Sequence, residues 1–83
     1  MIVHLKKVQY ILVEEQAGTP ELGPYSTFGI AAVQHTLHGY QRLAYVRDIS
    51  TNRDFAAALV KRCNRAKLSP VHLQDFIADV LGS

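Results

Sequence analysis

Histidine and aspartate side chains near the end of this chain have the spacing best suited to chemistry. His72 and Asp75 lie three positions apart, so they share one face of a predicted helix, and Asp79 lies one turn further along. A carboxylate so placed can orient an imidazole for acid–base catalysis or metal binding. No third partner is identifiable, because Cys63 falls on the predicted buried side of another helix. The simpler interpretation is a solvated helix surface, so we expect no enzyme and no cofactor.

Zinc binding is the next candidate function, because two histidines lie around a predicted hairpin turn. His35 and His38 lie three positions apart, and His4 or His72 could join them. Structural zinc needs four good ligands, and a chain with one cysteine supplies no cysteine pair. The single Cys63 has the character of a small buried hydrophobe. We therefore expect no metal site.

Nucleic-acid binding is an alternative function, because a basic cluster precedes a short turn between the last two predicted helices. The cluster consists of Lys61, Arg62, Arg65 and Lys67. The outward face of the last helix carries Asp75 and Asp79, which would repel phosphates. Cations at the end of a helix also complement its dipole, which explains the cluster without a ligand. A helix-turn-helix protein that binds DNA or RNA is therefore the less favoured interpretation.

Composition indicates one small globular domain. The 83 residues are 48% hydrophobic and 19% charged, with a net charge of +2 that is too small to imply a polyanionic partner. One cysteine excludes an internal disulfide. The first residues do not resemble a secretory signal, since Lys6 and Lys7 interrupt the apolar run, and no segment has the length of a membrane span. We expect a cytoplasmic protein without a membrane partner.

Three segments have the composition of β-strands: 8–15, 25–37 and 41–49. The alternation of apolar residues changes phase at Lys6–Lys7, after Val3 and Leu5, which predicts a bulge or the start of pairing there. Residues 16–24 contain two glycines and two prolines and predict a long loop.

Glycines mark two further features of the predicted strands. Leu37-His38-Gly39-Tyr40 is typical of a tight hairpin turn. Gly29, inside the second strand, indicates a bulge or a close backbone approach. In the third strand Leu43, Tyr45 and Ile49 are expected in phase.

Two amphipathic helices are predicted after the strands. The first begins at an approximate capping box of Thr51 and Asp54 and runs to about Ala66. Its buried side is expected to contain Phe55, Ala56, Leu59, Val60 and Cys63. The second is expected to be capped by Ser69, to start at Pro70 and to close at Gly82 in the left-handed conformation. Its apolar stripe comprises Leu73, Phe76, Ile77, Val80 and Leu81.

The element order is therefore β-β-β-α-α. Strands followed by helices indicate an α+β fold with an antiparallel sheet. Short connections favour a three-stranded antiparallel meander and an antiparallel two-helix hairpin packed on one sheet face.

Three short motifs follow one another along the chain: Phe28-Gly29-Ile30, Asp48-Ile49-Ser50 opening a helix, and Leu68-Ser69-Pro70-Val71-His72-Leu73 with Asp75 and Asp79 downstream. Together they resemble a family of small uncharacterised proteins, a domain of unknown function, from Gram-positive anaerobic bacteria. The resemblance covers about residues 25–81, and Phe28 stands where the family pattern has tyrosine. It implies no substrate or cofactor, and it favours an orphan interaction or regulatory protein.

The sheet carries a second apolar face in this prediction. If Val8, Tyr10, Leu12, Phe28 and Ile30 face the helices, other aliphatic residues of the same strands face outward. A sheet solvated on one side should alternate more cleanly. We therefore predict a protein-interaction surface, through which the chain forms a homodimer or docks another protein. Its residues are Ile11, Val13, Ala31, Val33 and Tyr45.

Overall fold

The computed structural model describes residues 7–82 and confirms the predicted α+β fold. The elements are β1 (Val8–Thr19), β2 (Gly23–Thr36), β3 (Gly39–Ser50), α1 (Arg53–Ala66), a 3₁₀ turn (Pro70–His72) and α2 (Leu73–Gly82). The predicted phase change at Lys6–Lys7 depends on Val3, Leu5 and Lys6, which lie outside the described residues.

The three strands form an antiparallel sheet in the order β1-β2-β3, and the first hairpin is longer than predicted. The predicted loop over 16–24 is wrong, because pairing continues to Thr19 opposite Gly23 and the turn spans only residues 20–22. Gly18 and Gly23 supply the positive φ angles, 148° and 74°, of this connection. The pairing of β2 with β3 ends at Phe28 opposite Ser50, so Pro24 lies in a part of β2 that pairs only with β1. Proline is tolerated in such an edge position because its missing N–H removes no hydrogen bond there.

The second hairpin has the predicted tight turn. Thr36 pairs with Gly39, so that Leu37 and His38 alone form the loop, and Gly39 has a φ of 130°.

Strand β3 contains two irregularities that alter its phase. The register against β2 shifts between Ala32 and Val33 and again between Phe28 and Ile30. As a result Ile49 enters the core, whereas Tyr45 pairs with Ala31 on the opposite sheet face. The prediction that these two side chains share a phase is therefore wrong, because bulges break the period of two on which it depended.

Helix α1 ends at the predicted residue but begins with a different cap. Asn52, not Thr51, accepts the hydrogen bond from the Phe55 amide, at 3.0 Å. Phe55 is also exposed, which contradicts its predicted place on the buried side. Lys67 closes the helix in the left-handed conformation, with φ 52° and ψ 47°.

Helix α2 begins later than predicted. Residues Pro70–His72 form a 3₁₀ turn, in which Ser69 makes no side-chain cap. Gly82 is the last helical residue and has no positive φ, so its predicted closing role is wrong. Leu81 lies in the last turn and is exposed rather than buried, whereas Leu73 and Ile77 are buried and Phe76 and Val80 pack against the core.

Both helices pack on one face of the sheet and form one core with it. The buried cluster comprises Tyr10, Ile30, Ala32, Ile49, Leu59, Cys63, Leu73 and Ile77. Within residues 7–82, no helix has the length and apolar character needed to cross a membrane.

The free edge of β1 is held by a side chain of α1. The Asn64 carbonyl accepts from the Tyr10 amide at 2.8 Å, and the Asn64 amide donates to the Tyr10 carbonyl at 3.0 Å. The side chain thus substitutes for a neighbouring strand at this point and blocks edge-to-edge pairing there.

Candidate functional site

The sheet face away from the helices, here called the open face, brings all five predicted interaction residues together. Ile11, Ala31 and Tyr45 are direct cross-strand neighbours in one row. Val13 lies opposite Gly29 in the next row on one side, and Val33 lies in the next row on the other. The alternation of β1 and β2 therefore places these residues as the sequence predicted.

Residues of the open face differ in how much they can contact a partner. Ala31 and Val33 on the central strand are 2% and 6% exposed, so the side chains around them cover them already. Ile11 on β1 is 38% exposed, and Val13 and Tyr45 are half-buried. Ala31 and Val33 form the floor of the face, while the other three reach its surface.

Part of the cover is a polar network that crosses the central strand. The Tyr45 hydroxyl on β3 donates to the Glu15 carboxylate on β1. Arg47 donates to the same carboxylate oxygen at 3.3 Å, and the Arg42 guanidinium lies 4.9 Å from the Tyr45 ring centroid. The network thereby links β1 and β3 across β2, which has the small residues Gly29 and Ala31 on this face.

Gly29 makes room for this crossing. A Cβ atom there would lie 2.4 Å from the Val46 carbonyl oxygen and 3.3 Å from a ring carbon of Tyr45. The ring therefore lies over the glycine, an arrangement that protects a backbone with no side chain of its own. The predicted bulge or close approach at Gly29 is confirmed.

The network shifts the ionisation of its members. The hydrogen bond from Tyr45, reinforced by Arg47 and Arg42, lowers the pKa of Glu15 below 4.5. Burial, and then the bond to Glu15, raises the pKa of Tyr45 above 10.0. At neutral pH the phenol is therefore a donor and the carboxylate an acceptor, which is the pairing that the geometry requires.

A second polar contact closes one end of the open face. Thr27 is buried on the central strand, and its hydroxyl lies 2.5 Å from the Asp48 carboxylate and 3.3 Å from the Ser50 carbonyl. Asp48 has a φ of 53°, which carries its side chain out of the regular β3 alternation.

The charged members of this face were not identified from the sequence. Glu15 follows Ile11 and Val13 at the same alternate spacing, so strand periodicity alone could have placed it with them. Arg42 and Arg47 carry no such signal, because the bulges of β3 decide which face they reach.

The histidine and aspartate candidates lie on the molecular surface. His72 is exposed in the 3₁₀ turn, and Asp75 and Asp79 are exposed on α2. His38 is in the second turn, and the His35 ring contacts the Tyr40 ring at 4.5 Å between centroids. Across the described part of the chain, no group of three or more His, Cys, Asp or Glu side chains could hold a metal ion. His4, the remaining zinc candidate, lies outside that part.

The basic cluster is exposed along α1 and its cap. Lys61, Arg62, Arg65 and Lys67 all reach solvent. The Arg62 guanidinium lies 5.2 Å from the Phe76 ring centroid, so it also joins the two helices. Binding of nucleic acid by this cluster stays a prediction.

Comparison with known proteins identifies a matching protein family. The model of a family of unknown function (DUF6514) matches residues 3–83. No curated protein and no solved structure matches this chain.

Proposed function

We propose that this chain, which belongs to that family of unknown function, is a non-enzymatic interaction module that self-associates through its open face. The observation that carries the proposal is the row Ile11–Ala31–Tyr45 on a sheet face that no described helix covers. Apolar surface on an uncovered sheet face is typical of sites for another protein.

The arrangement of the strands allows a second copy as the partner. The Glu15 carboxylate is already paired with Tyr45 and Arg47 within each copy, so it does not need a cation from the partner. A two-fold axis parallel to the strands lays β1 of one copy over β3 of the other. Ile11 of one copy then lies over Tyr45 of the other.

A two-fold axis across the strands gives a different arrangement. It lays β3 over β3 and β1 over β1 with the strand direction reversed. If the axis passes through the row Ile11–Ala31–Tyr45, Arg42 of one copy lies near Arg47 of the other, because the two arginines flank Tyr45 on β3. Like charges across an interface cost free energy, so we propose the axis parallel to the strands.

The size of the face predicts weak association. Three strands about 4.8 Å apart and about 27 Å of paired length from Val8 to Glu15 give roughly 400 Å² of flat area per copy. This is about half of the roughly 800 Å² per partner that a specific interface of standard size buries, as expected of a weak interaction. We expect a dissociation constant on the order of 10 µM, with Ile11, Val13 and Tyr45 as the central contacts.

Sedimentation equilibrium tests the proposal with a matched pair of variants. Wild type should change from monomer to dimer between about 1 µM and about 200 µM, the range around the expected constant. Val13→Glu places a charge on the open face and should abolish the dimer. Val71→Glu makes the same change at an exposed site in the 3₁₀ turn and should leave it intact.

Two outcomes would contradict the proposal. A wild-type monomer at the highest concentration would exclude self-association through any face. A dimer that Val71→Glu weakens as much as Val13→Glu does would move the interface away from the open face. Far-ultraviolet circular dichroism of both variants shows that the fold is kept.

A further inference from the structure

We propose that the cavity between the start of β1 and the end of α1 binds a small amphiphilic anion, with an apolar body and a carboxylate or sulfonate head. The cavity has a volume of about 610 Å³, which is the size of sites for drug-sized molecules. It lies at the edge of the sheet, where Tyr10 and Cys63 of the helix side line it together with Gln9 and His35. None of the five predicted interaction residues of the open face lines it, so the proposal is independent of self-association.

Part of the cavity wall is apolar, and the polar groups of Tyr10 and Asn64 in that part already bind partners. Val8, Leu68 and Pro70 line it together with the Tyr10 ring and Cys63. The Tyr10 hydroxyl donates to the Leu68 carbonyl at 2.5 Å, and Asn64 satisfies the Tyr10 backbone. No buried side-chain nitrogen or oxygen in the described residues lacks a partner. The body of a ligand can therefore contact hydrocarbon on this part of the wall, while Gln9 and Ser69 supply polar groups elsewhere in the lining.

The charges around the cavity are of one sign. Lys7 before β1 and Lys67 at the cap of α1 both line it and are both exposed. None of the lining residues is Asp or Glu. An anionic head is attracted by both lysines and meets no carboxylate among the lining residues. A cationic or neutral molecule gains nothing from these groups.

The rate at which the Cys63 thiol is alkylated measures independently whether a ligand occupies the cavity. It lines the cavity, is 1% exposed, and burial raises the pKa of its thiol. A ligand seated in the cavity should slow its reaction with iodoacetamide further. This readout differs from the fluorescence of a bound dye, which responds to any apolar surface.

The test uses two dyes of similar size on the folded full chain. The first is 8-anilinonaphthalene-1-sulfonate, an amphiphilic anion, and the second is its neutral analogue N-phenyl-1-naphthylamine. We expect the sulfonate to bind more tightly, to be displaced by octanoate, and to slow the alkylation of Cys63. Lys7→Gln and Lys67→Asn should each weaken sulfonate binding about two- to fivefold, the effect of one exposed charge pair, and leave the neutral dye unchanged.

The variants are chosen to keep the fold. Asparagine tolerates the left-handed backbone of Lys67, and Lys61→Gln is the matched control because Lys61 does not line the cavity. Equal affinity for the two dyes, or sulfonate binding unaffected by Lys7→Gln and Lys67→Asn together, would overturn the proposal. So would a loss of sulfonate binding in Ile11→Glu, since that would place the dye on the open face.

Discussion

Replacing Gly29 by alanine should destabilise the protein although it adds only one methyl group. The new Cβ would lie 2.4 Å from the Val46 carbonyl oxygen and 3.1 Å from the Arg47 Cα. Non-bonded carbon contacts normally lie about 3.5–4.0 Å apart, so β3 must move by about 1 Å. Both nearest atoms are backbone and cannot rotate away, unlike the end of a flexible side chain.

The size of the effect follows from two opposing terms. Overpacking of this kind costs about 1–3 kcal/mol. The lower entropy of the unfolded alanine chain returns about 0.4–1 kcal/mol. We expect a net loss of about 1–2 kcal/mol in the free energy of unfolding, which lowers the Tm by about 4–8 °C for each kcal/mol in a domain of this size.

Thermal and urea unfolding of Gly29→Ala beside Gly82→Ala measures this effect. Gly82 has nothing within 4 Å of its built Cβ and lies in a helix, so alanine there should be neutral or stabilising. A Gly29→Ala protein as stable as wild type would refute the close approach of β3 to β2 at this residue.

Three further predictions concern single contacts. Asn64→Ala removes both hydrogen bonds to the Tyr10 backbone and should cost about 1–2 kcal/mol in urea unfolding, whereas no change would mean that water replaces them fully. Tyr45→Phe should raise the pKa of Glu15 toward 4.5 in an NMR titration. Because the folded pKa of Glu15 is lowered, the stability due to this network is complete above pH 4.5 and is lost as the pH falls through the folded pKa. Tyr45→Phe should therefore weaken that acid dependence, while Arg47 and Arg42 retain part of it. The Cys63 thiol, buried and with a raised pKa, should react with iodoacetamide much more slowly in the native protein than in urea, and equal rates would contradict its burial.

Elements with strong periodic patterns could be predicted from the sequence. The alternation of β1 and β2 correctly separated Tyr10 and Ile30 from Ile11 and Ala31. The end of α1 at Ala66 could be predicted from the turn expected at Lys67 and Leu68 before the next helix. These features depend on near neighbours in sequence, which is why local reasoning reached them.

The missed features depend on contacts between distant residues. Proline and glycine over 16–24 indicate a loop locally, but two paired strands accommodate them at an edge and in a tight turn. The bulges of β3 are set by its pairing with β2, so they and the positions of Arg42 and Arg47 could not be read from alternation. The hydrogen bonds of Asn64 to the Tyr10 backbone and the lining of the cavity both involve residues from the two ends of the chain.

An isotope-filtered NOE experiment tests self-association through the open face most directly. Equal amounts of ¹³C-labelled and unlabelled chain are mixed at a concentration above the expected dissociation constant, so that only contacts between copies are detected. The proposed dimer predicts cross-peaks between Ile11 methyl groups of one copy and Tyr45 ring protons of the other. Cross-peaks confined to helix residues, or none in a sample that sediments as a dimer, would contradict it.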